Sequence, residues 1–310
     1  GLWTDGRYFL LSEQQLQGTG IRLFRSGEPG VPKLQDYVKQ KLSEGGKLGF
    51  DGRVMGAFRA EKLIEAAGEK GAETLVTEDL AGRIWADRPG IPDTRLYVLD
   101  LCYAGEDTKS RLARVRAEME KAGADVHVLA SLCDIAWLLN IRGGDIPCVP
   151  VVLSFLCMTK TACTWYVRER IVTEEIRQYL KECGIQIRDY EAVYEDLPGL
   201  TEGQKVLLDK KTVNYRLLTG ISAGAEVIDG QNPTELMKAV KNETEIQNLK
   251  TAHLKEGIAF TRLMYWLKNQ SGTETVTERS VAAYLDACRQ EQEHCLGQSF
   301  ATISAYGANG

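Results

Sequence analysis

The stretch DTKSRLARVRAEMEKAGADVHVL, Asp107 to Leu129, contains one complete helix-to-strand step. Leu112, Val115 and Met119 recur near the helical period and predict one apolar helix face over Asp107–Lys121. Gly123 stands where a helix C-terminus favours left-handed backbone. Val126–Leu129 then predicts a strand.

The same rhythm extends in both directions. Upstream, Leu96–Cys102 predicts a strand. Downstream, strands are expected at Val151–Phe155, Thr164–Val167, Ile185–Arg188, Val206–Leu208 and Glu226–Ile228, with a helix over Thr173–Lys181. Nearer the start, strands at Arg22–Phe24, Leu48–Phe50 and Thr74–Val76 alternate with helices at Pro32–Leu42 and Met55–Ala67. Such alternation implies an α/β layer architecture. The two prolines and the glycine of Asp87-Arg88-Pro89-Gly90-Ile91-Pro92 predict a domain boundary.

At Lys241 the texture changes. Asn242 followed by Glu245 is a capping box in its Asn form. It opens a helix of six turns or more, with Ile246, Leu249, Ala252, Phe260, Leu263 and Leu267 on one face. A second helix from Thr277 turns Val281, Tyr284, Leu285 and Cys288 inward. Ser299–Tyr306 predicts the start of a strand, and Gly307–Gly310 a turn. Two helices and one strand cannot close a sheet core. Phe260, Leu263 and Leu267 are therefore expected to leave an apolar patch.

Bulk properties exclude several classes. The 310 residues suit two domains and part of a third. Apolar content of 44% and charged content of 26% are ordinary for a globular chain. A net charge of −5, with no basic cluster, argues against nucleic acid. The longest apolar run, Val149–Met158, carries Pro150 and Ser154, is too short for a bilayer and predicts a buried strand. The eight cysteines form no Cys-x-x-Cys pair and read as reduced structural thiols. The adjacent His294 and Cys295 begin no tetrahedral metal site. His127 and His253 read as structural histidines.

No phosphate-cradling glycine loop, no nucleophile elbow and no His-Glu-x-x-His is present. The run Asp134–Gly143 ends a helix on Asn140, with Arg142 and Asp145 just beyond, and predicts an Asp–Arg network pinning that end. Asp5-Gly6-Arg7 is the candidate binding segment. The planar fork of Arg7 can grip a peptide carbonyl or carboxylate, or pair with Asp5.

Six segments, taken in order, carry a resemblance. They are Trp3-Thr4-Asp5-Gly6-Arg7-Tyr8-Phe9, Ile84-Trp85-Ala86-Asp87-Arg88-Pro89, Asp134 through Gly143, Pro150-Val151 followed by Ser154-Phe155, Ala239-Val240-Lys241-Asn242-Glu243, and Ser299-Phe300-Ala301-Thr302-Ile303-Ser304. Their order and spacing resemble the long, three-domain Xaa-Pro aminopeptidases (aminopeptidase P) of the creatinase/prolidase pita-bread superfamily.

The resemblance implies two creatinase-like α/β domains followed by the start of a pita-bread α+β domain. The expected divisions are the C-terminal part of the first such domain at 1–92, the second at 93–238 and the incomplete start of the pita-bread domain at 239–310. It implies hydrolysis that releases the N-terminal residue of peptides with proline second. It also implies two divalent ions, usually manganese, that generate the attacking hydroxide. The family's two Asp, one His and two Glu ligands fall beyond the position matching Gly310. The chain is thus expected to be an internal piece of a larger enzyme, without a bound metal and inactive alone.

The Arg of the family's Asp-Gly-Arg-Tyr motif contacts the peptide, so Arg7 inherits a substrate-binding role by resemblance. A homodimer, a cytoplasmic location and no membrane partner complete the expectation. A non-catalytic binding or dimerisation module, and a prolidase- or creatinase-like relative, are the alternatives. The presence of motifs from both leading domains favours the three-domain peptidase over the latter. Ala308 departs from the proline often found there.

Overall fold

The computed structural model describes residues 1–77, 79–270 and 276–307, and these fall into two compact units. The architecture is mixed α/β, in agreement with the alternation in the sequence.

The first unit comprises Gly1–Arg88 together with Lys210–Gly220. Strands β1 (Leu2–Thr4) and β2 (Leu23–Arg25) pair in parallel around helix α1 (Phe9–Leu16). Helix α2 (Leu34–Lys41) follows. Strands β3 (Lys47–Asp51) and β4 (Glu73–Thr77) form a second parallel pair around helix α3 (Ala57–Gly68). Helix α4 (Leu80–Ile84) is capped by Asp79. Trp3 stacks on Phe24 at 4.1 Å, and Tyr37 meets both rings edge-on.

Residues 210–220, expected within the second domain, complete the core of this first unit. Val213 and Leu217 are fully buried, the latter on helix α10 (Tyr215–Gly220). Ala57 N–H donates to Val213 O at 2.9 Å, and Tyr215 N–H to Met55 O at 2.8 Å. Gly52 permits this approach: a Cβ there would lie 3.3 Å from the backbone nitrogen of Arg216.

The second unit comprises 89–209 and 221–310. It begins with β5 (Tyr97–Val98), α5 (Leu101–Ala104), α6 (Thr108–Lys121), β6 (Val126–Leu129), α7 (Leu132–Leu139) and β7 (Ile141–Arg142). Then come β8 (Phe155–Thr159), β9 (Cys163–Tyr166), α8 (Glu174–Glu182), β10 (Ile185–Arg188), α9 (Val193–Leu200) and β11 (Lys205–Leu208). It ends with β12 (Glu226–Asp229), α11 (Pro233–Ala239), α12 (Glu243–Gln270) and α13 (Glu278–Gln290).

Six strands form one sheet in the order β10-β9-β8-β6-β11-β12. Its centre is antiparallel (β9-β8-β6), and both wings are parallel. The central strands are buried on both faces, so they carry continuous apolar runs rather than alternation. α6 packs Leu112, Val115 and Met119 into the core as its period predicts. It ends in a Schellman motif: Gly123 adopts φ 69°, Gly123 N–H donates to Glu120 O, and Ala124 N–H to Met119 O.

Several expectations are corrected. Leu96–Cys102 is a strand only at Tyr97–Val98, because the Asp100 carboxylate accepts from Cys102 N–H at 2.8 Å and starts α5. The strand expected at Val151–Phe155, within the run Val149–Met158, forms at Phe155–Thr159 instead. Val151 and Leu153 are drawn into a loop by Asp145, whose N–H donates to Val151 O and whose carboxylate accepts from Leu153 N–H. No strand forms over Ser299–Tyr306 among the described residues. A strand needs a ladder, and this segment is tied instead to helix side chains: Thr302 to Asp286 and Arg289, and Tyr306 N–H to Glu278. Most of the turn expected at Gly307–Gly310 lies outside the described residues.

α12 runs for 28 residues, yet it buries only Ala259 and Leu263 fully. These meet Leu285 and Cys288 of α13, and Trp266 stacks on Tyr284 at 4.4 Å. Of the three residues expected to form a patch, Leu263 is buried and Phe260 is 51% exposed. Leu254, Ile258 and Tyr265 are exposed nearby.

All eight cysteines are free. Cys157, Cys163 and Cys288 are buried, but Cys102, Cys133 and Cys148 are exposed, so the buried-thiol reading holds only in part. Cys102 follows Leu101 on a short helix rather than inside a strand, and this brings it to the surface. Burial pushes the Cys157 and Cys163 thiols up to about 12.

Two outcomes follow. At about pH 8, a disulfide-exchange reagent should modify exposed Cys133 and Cys148 readily, Cys102 more slowly because desolvation and Asp100 raise its pKa, and Cys157 and Cys163 only after unfolding. Mapping the labelled peptides by mass spectrometry checks this, and fast labelling of Cys157 contradicts it. Leu217→Ala should destabilise the first unit by about 3 kcal/mol, because it opens a cavity where 210–220 packs. Denaturant unfolding, followed by hydrogen exchange in α3, measures the loss.

Candidate functional site

Arg7 sits on a 3-10 turn that follows β1. Asp5 caps that turn. Its Oδ1 accepts from Arg7 N–H at 3.1 Å and from Arg7 Nε at 2.9 Å, and its Oδ2 accepts from Nη2 at 2.8 Å. Hydrogen bonds from the Arg7 side chain, then from its backbone, lower Asp5 to about 2, and the same pairing raises Arg7. The Arg7 side chain is 78% exposed. Its guanidinium also lies 5.5 Å from the Tyr8 ring centroid. Both properties read from the sequence are therefore present together: an Asp5 pair and an exposed guanidinium whose Nη1 lies outside that pair.

The histidines are dispersed. His127 is fully buried on β6, with Nδ1 3.0 Å from Leu207 O, and burial lowers its pKa. His253 is exposed on α12. His294 adopts φ 63° and meets Tyr103 edge-on. Among the described residues, no group of three or more His, Cys, Asp or Glu side chains is gathered that could hold a metal ion. The residues present do not fit a metal centre, and no catalytic step through a metal is derived from them.

The Asp–Arg network expected at Asp134–Arg142 exists, but with other partners. Asp134 pairs with Lys238 at 2.6 Å. Asp145 accepts from Arg168 at 2.8 Å, with both side chains buried, and Asp93 stands 3.4 Å from the same guanidinium. Arg142 donates to Ala136 O. The helix end itself is held by a residue that the motif reading passed over. Arg111 is 1% exposed and donates to Trp137 O, to Asn140 Oδ1 and, at 3.0 Å, to Ala104 O. Its guanidinium stacks 4.5 Å from the Trp137 ring centroid.

Glu106 lies 3.6 Å from Arg111 and Glu245 lies 4.0 Å from it. Burial lowers the Arg111 pKa, and the two carboxylates oppose that shift. Asn140 completes the end of α7 in left-handed backbone, φ 52°, and its amide donates to Glu106 O. The signal for Arg111 was in the sequence: it precedes Val115 and Met119 by steps of four and so lies on the buried stripe. A cleft of about 800 Å³ opens between α12, α13 and the segment after α13. Leu249, Phe260, Phe300 and Ile303 line it, with Glu256 and Arg289 joined by an ion pair at one wall.

The first unit thus offers an exposed Arg fork on a capped turn, and the second, taken by itself, a six-stranded sheet with a buried guanidinium at the root of α12. Comparison with known proteins gives these groups a family. Residues 87–245 match the Creatinase/Prolidase N-terminal domain. The chain is similar to Aminopeptidase P2 of Arabidopsis thaliana, 33% identical over 100% of this chain and 48% of that protein. It is also similar to a probable Xaa-Pro aminopeptidase P of Leptosphaeria maculans, 34% identical over 99% of this chain and 53% of that protein. The chain thus spans about half the length of the curated relatives it matches.

Its structure superposes on the X-prolyl aminopeptidase of Caenorhabditis elegans with a TM-score of 0.90 at 27% identity, covering 98% of this chain and 50% of that one. That protein is described as a cytosolic enzyme with a di-nuclear active site. With the sheet, the motifs and the whole-chain similarity in agreement, this chain belongs to the creatinase/prolidase family.

Proposed function

We propose that this chain forms the N-terminal and middle portion of a metal-dependent Xaa-Pro aminopeptidase, which releases the N-terminal residue of peptides with proline second. One observation carries the reading: similarity to Xaa-Pro aminopeptidases runs over essentially the whole chain, in sequence and in structure. The three-part division at 1–92, 93–238 and 239–310 remains the proposed architecture, with 210–220 serving the first unit by contact.

In this reading Arg7 handles the peptide. Asp5 holds the fork in one orientation, and Nη1 is left to donate to a substrate carbonyl. Asp5 stays ionised well below neutral pH, so the orientation is fixed across the working range. Two divalent ions, manganese by resemblance, would supply the nucleophile, with ligands from outside these residues; the chain alone would then be inactive. Homodimer formation and a cytoplasmic location belong to the same proposal. Among the described residues no helix is long and apolar enough to cross a membrane.

The first test is the reading frame beyond Gly310. Spaced Asp, Asp, His, Glu and Glu codons support the peptidase. A frame without them replaces it with a binding or dimerisation module. The complete protein should cleave Xaa-Pro-Yaa peptides, spare Xaa-Ala-Yaa peptides and lose activity on chelation. In that protein Arg7→Ala should lower kcat/KM about tenfold, mainly through KM, while metal content stays constant. Unchanged peptide kinetics would remove Arg7 from the site.

A further inference from the structure

Beside Tyr103 of α5, which meets His294 edge-on, α12 leaves the sheet through a joint made mainly of polar groups. The last turn of α5 presents its carbonyls to it. Ala104 O accepts from Asn242 at 2.9 Å as well as from Arg111, and Cys102 O accepts from Asn248 at 2.8 Å. Asn242 and Glu245 also close the capping box of α12: Glu245 N–H donates to Asn242 Oδ1, and Asn242 N–H to Glu245 Oε2, both at 2.9 Å.

The other oxygen of Glu245, Oε1, faces Arg111. One guanidinium therefore meets the carbonyl ends of α5 and α7 and the cap of α12. Gly105 makes the close approach possible. It adopts φ 67°, and a Cβ there would lie 2.4 Å from Asn242 Oδ1 and 2.7 Å from Thr244 Cβ. Beyond the joint, residues 251–254 of α12 are exposed, and the helix regains an apolar core only where Ala259 and Leu263 meet α13.

We propose that this joint is a latch, with Arg111 as its positioning residue, so that the α12–α13 pair can detach from the sheet while each keeps its own core. The physical basis is a difference in what must be lost. Hydrogen bonds at a helix end exchange for water at modest net cost, whereas opening either apolar core exposes buried surface. Arg111 acts through shape as well as charge, because its planar fork reaches several acceptors at once and a lysine ammonium cannot. The inference does not depend on the peptidase reading, since its readout is structural.

The test is hydrogen exchange, followed by mass spectrometry, on the whole chain. The Asn242→Asp/Asn248→Ala double variant, which keeps a capping oxygen for Glu245 N–H but cannot donate to Ala104 O or Cys102 O, and Arg111→Met should speed exchange in residues 245–256 by about tenfold or more, while β6, β8, β9 and residues 281–288 exchange as in the parent. Arg111→Lys should resemble Arg111→Met. Unchanged exchange in 245–256 in the double variant would overturn the latch. So would an equal rise in β8, which would make the joint part of the sheet core. Full restoration by Arg111→Lys would overturn the role given to the fork. If Arg111→Met fails to fold, the double variant, altered only on α12, decides alone.

Discussion

The second unit is organised around a guanidinium that water does not reach. Arg111 carries five N–H donors into a site where it is 1% exposed, and desolvation disfavours its charge. Glu106 and Glu245 oppose that cost by their charge, and backbone carbonyls accept from the guanidinium. Trp137 O and Ala104 O are carbonyls in the last turns of α7 and α5, and Arg111 donates to each beside a second donor, Asn140 N–H on the first and the Asn242 amide on the other. This differs from an ordinary buried ion pair, which apolar residues can often replace without loss. Helix-end carbonyls cannot be mutated away, and an apolar side chain at this position would leave Trp137 O and Ala104 O with one donor each and Asn140 Oδ1 without this one. Asn140 in left-handed backbone, and Trp137 under the guanidinium plane, follow from the same need to bring α7 to a close end against α6.

That site also shows what the sequence could convey. The stripe Leu112, Val115, Met119 was legible because burial of a helix face leaves a period. The Schellman end at Gly123 was legible because only one backbone conformation suits it. Arg111 lies on the same stripe, but a charged residue there reads as a solvated edge until its acceptors are known. Those acceptors come from Ala104, Trp137 and Asn140, between 7 and 29 positions away in the chain. The Asn242–Glu245 box was read correctly as a helix start. Its second role, facing Arg111, depends on how elements distant in sequence meet.

Two of the misplaced strands share one cause. At Leu96–Cys102 and Val151–Phe155 the apolar run is real, but a carboxylate intercepts the backbone: Asp100 in one case, Asp145 in the other. Local side-chain hydrogen bonds compete with ladder formation, and propensity alone does not register them. Residues 210–220 were assigned by their position in the chain, although their buried Val213 and Leu217 complete the first unit. Contiguity in sequence is a weak guide when a short segment finds its apolar partners in another unit.

The Asp5–Arg7 pair raises the remaining question: what such a pair is for. It is bidentate and well formed, yet Arg7 is largely solvent-exposed. Exposed ion pairs contribute little to stability, because water screens the attraction and two side chains lose freedom. A pair that stabilises little can still orient. Asp5 caps the turn and grips the fork at Nε and Nη2, so the guanidinium plane is set by the same carboxylate that sets the backbone. An unpaired arginine would give up rotamer entropy on meeting a peptide, and pairing with Asp5 lowers that loss for the fraction of time that the pair is closed. The reading of Arg7 as a substrate-handling group and the reading of it as half of an ion pair are therefore compatible. In the proposed enzyme the pair would bias the fork toward one orientation before a peptide arrives.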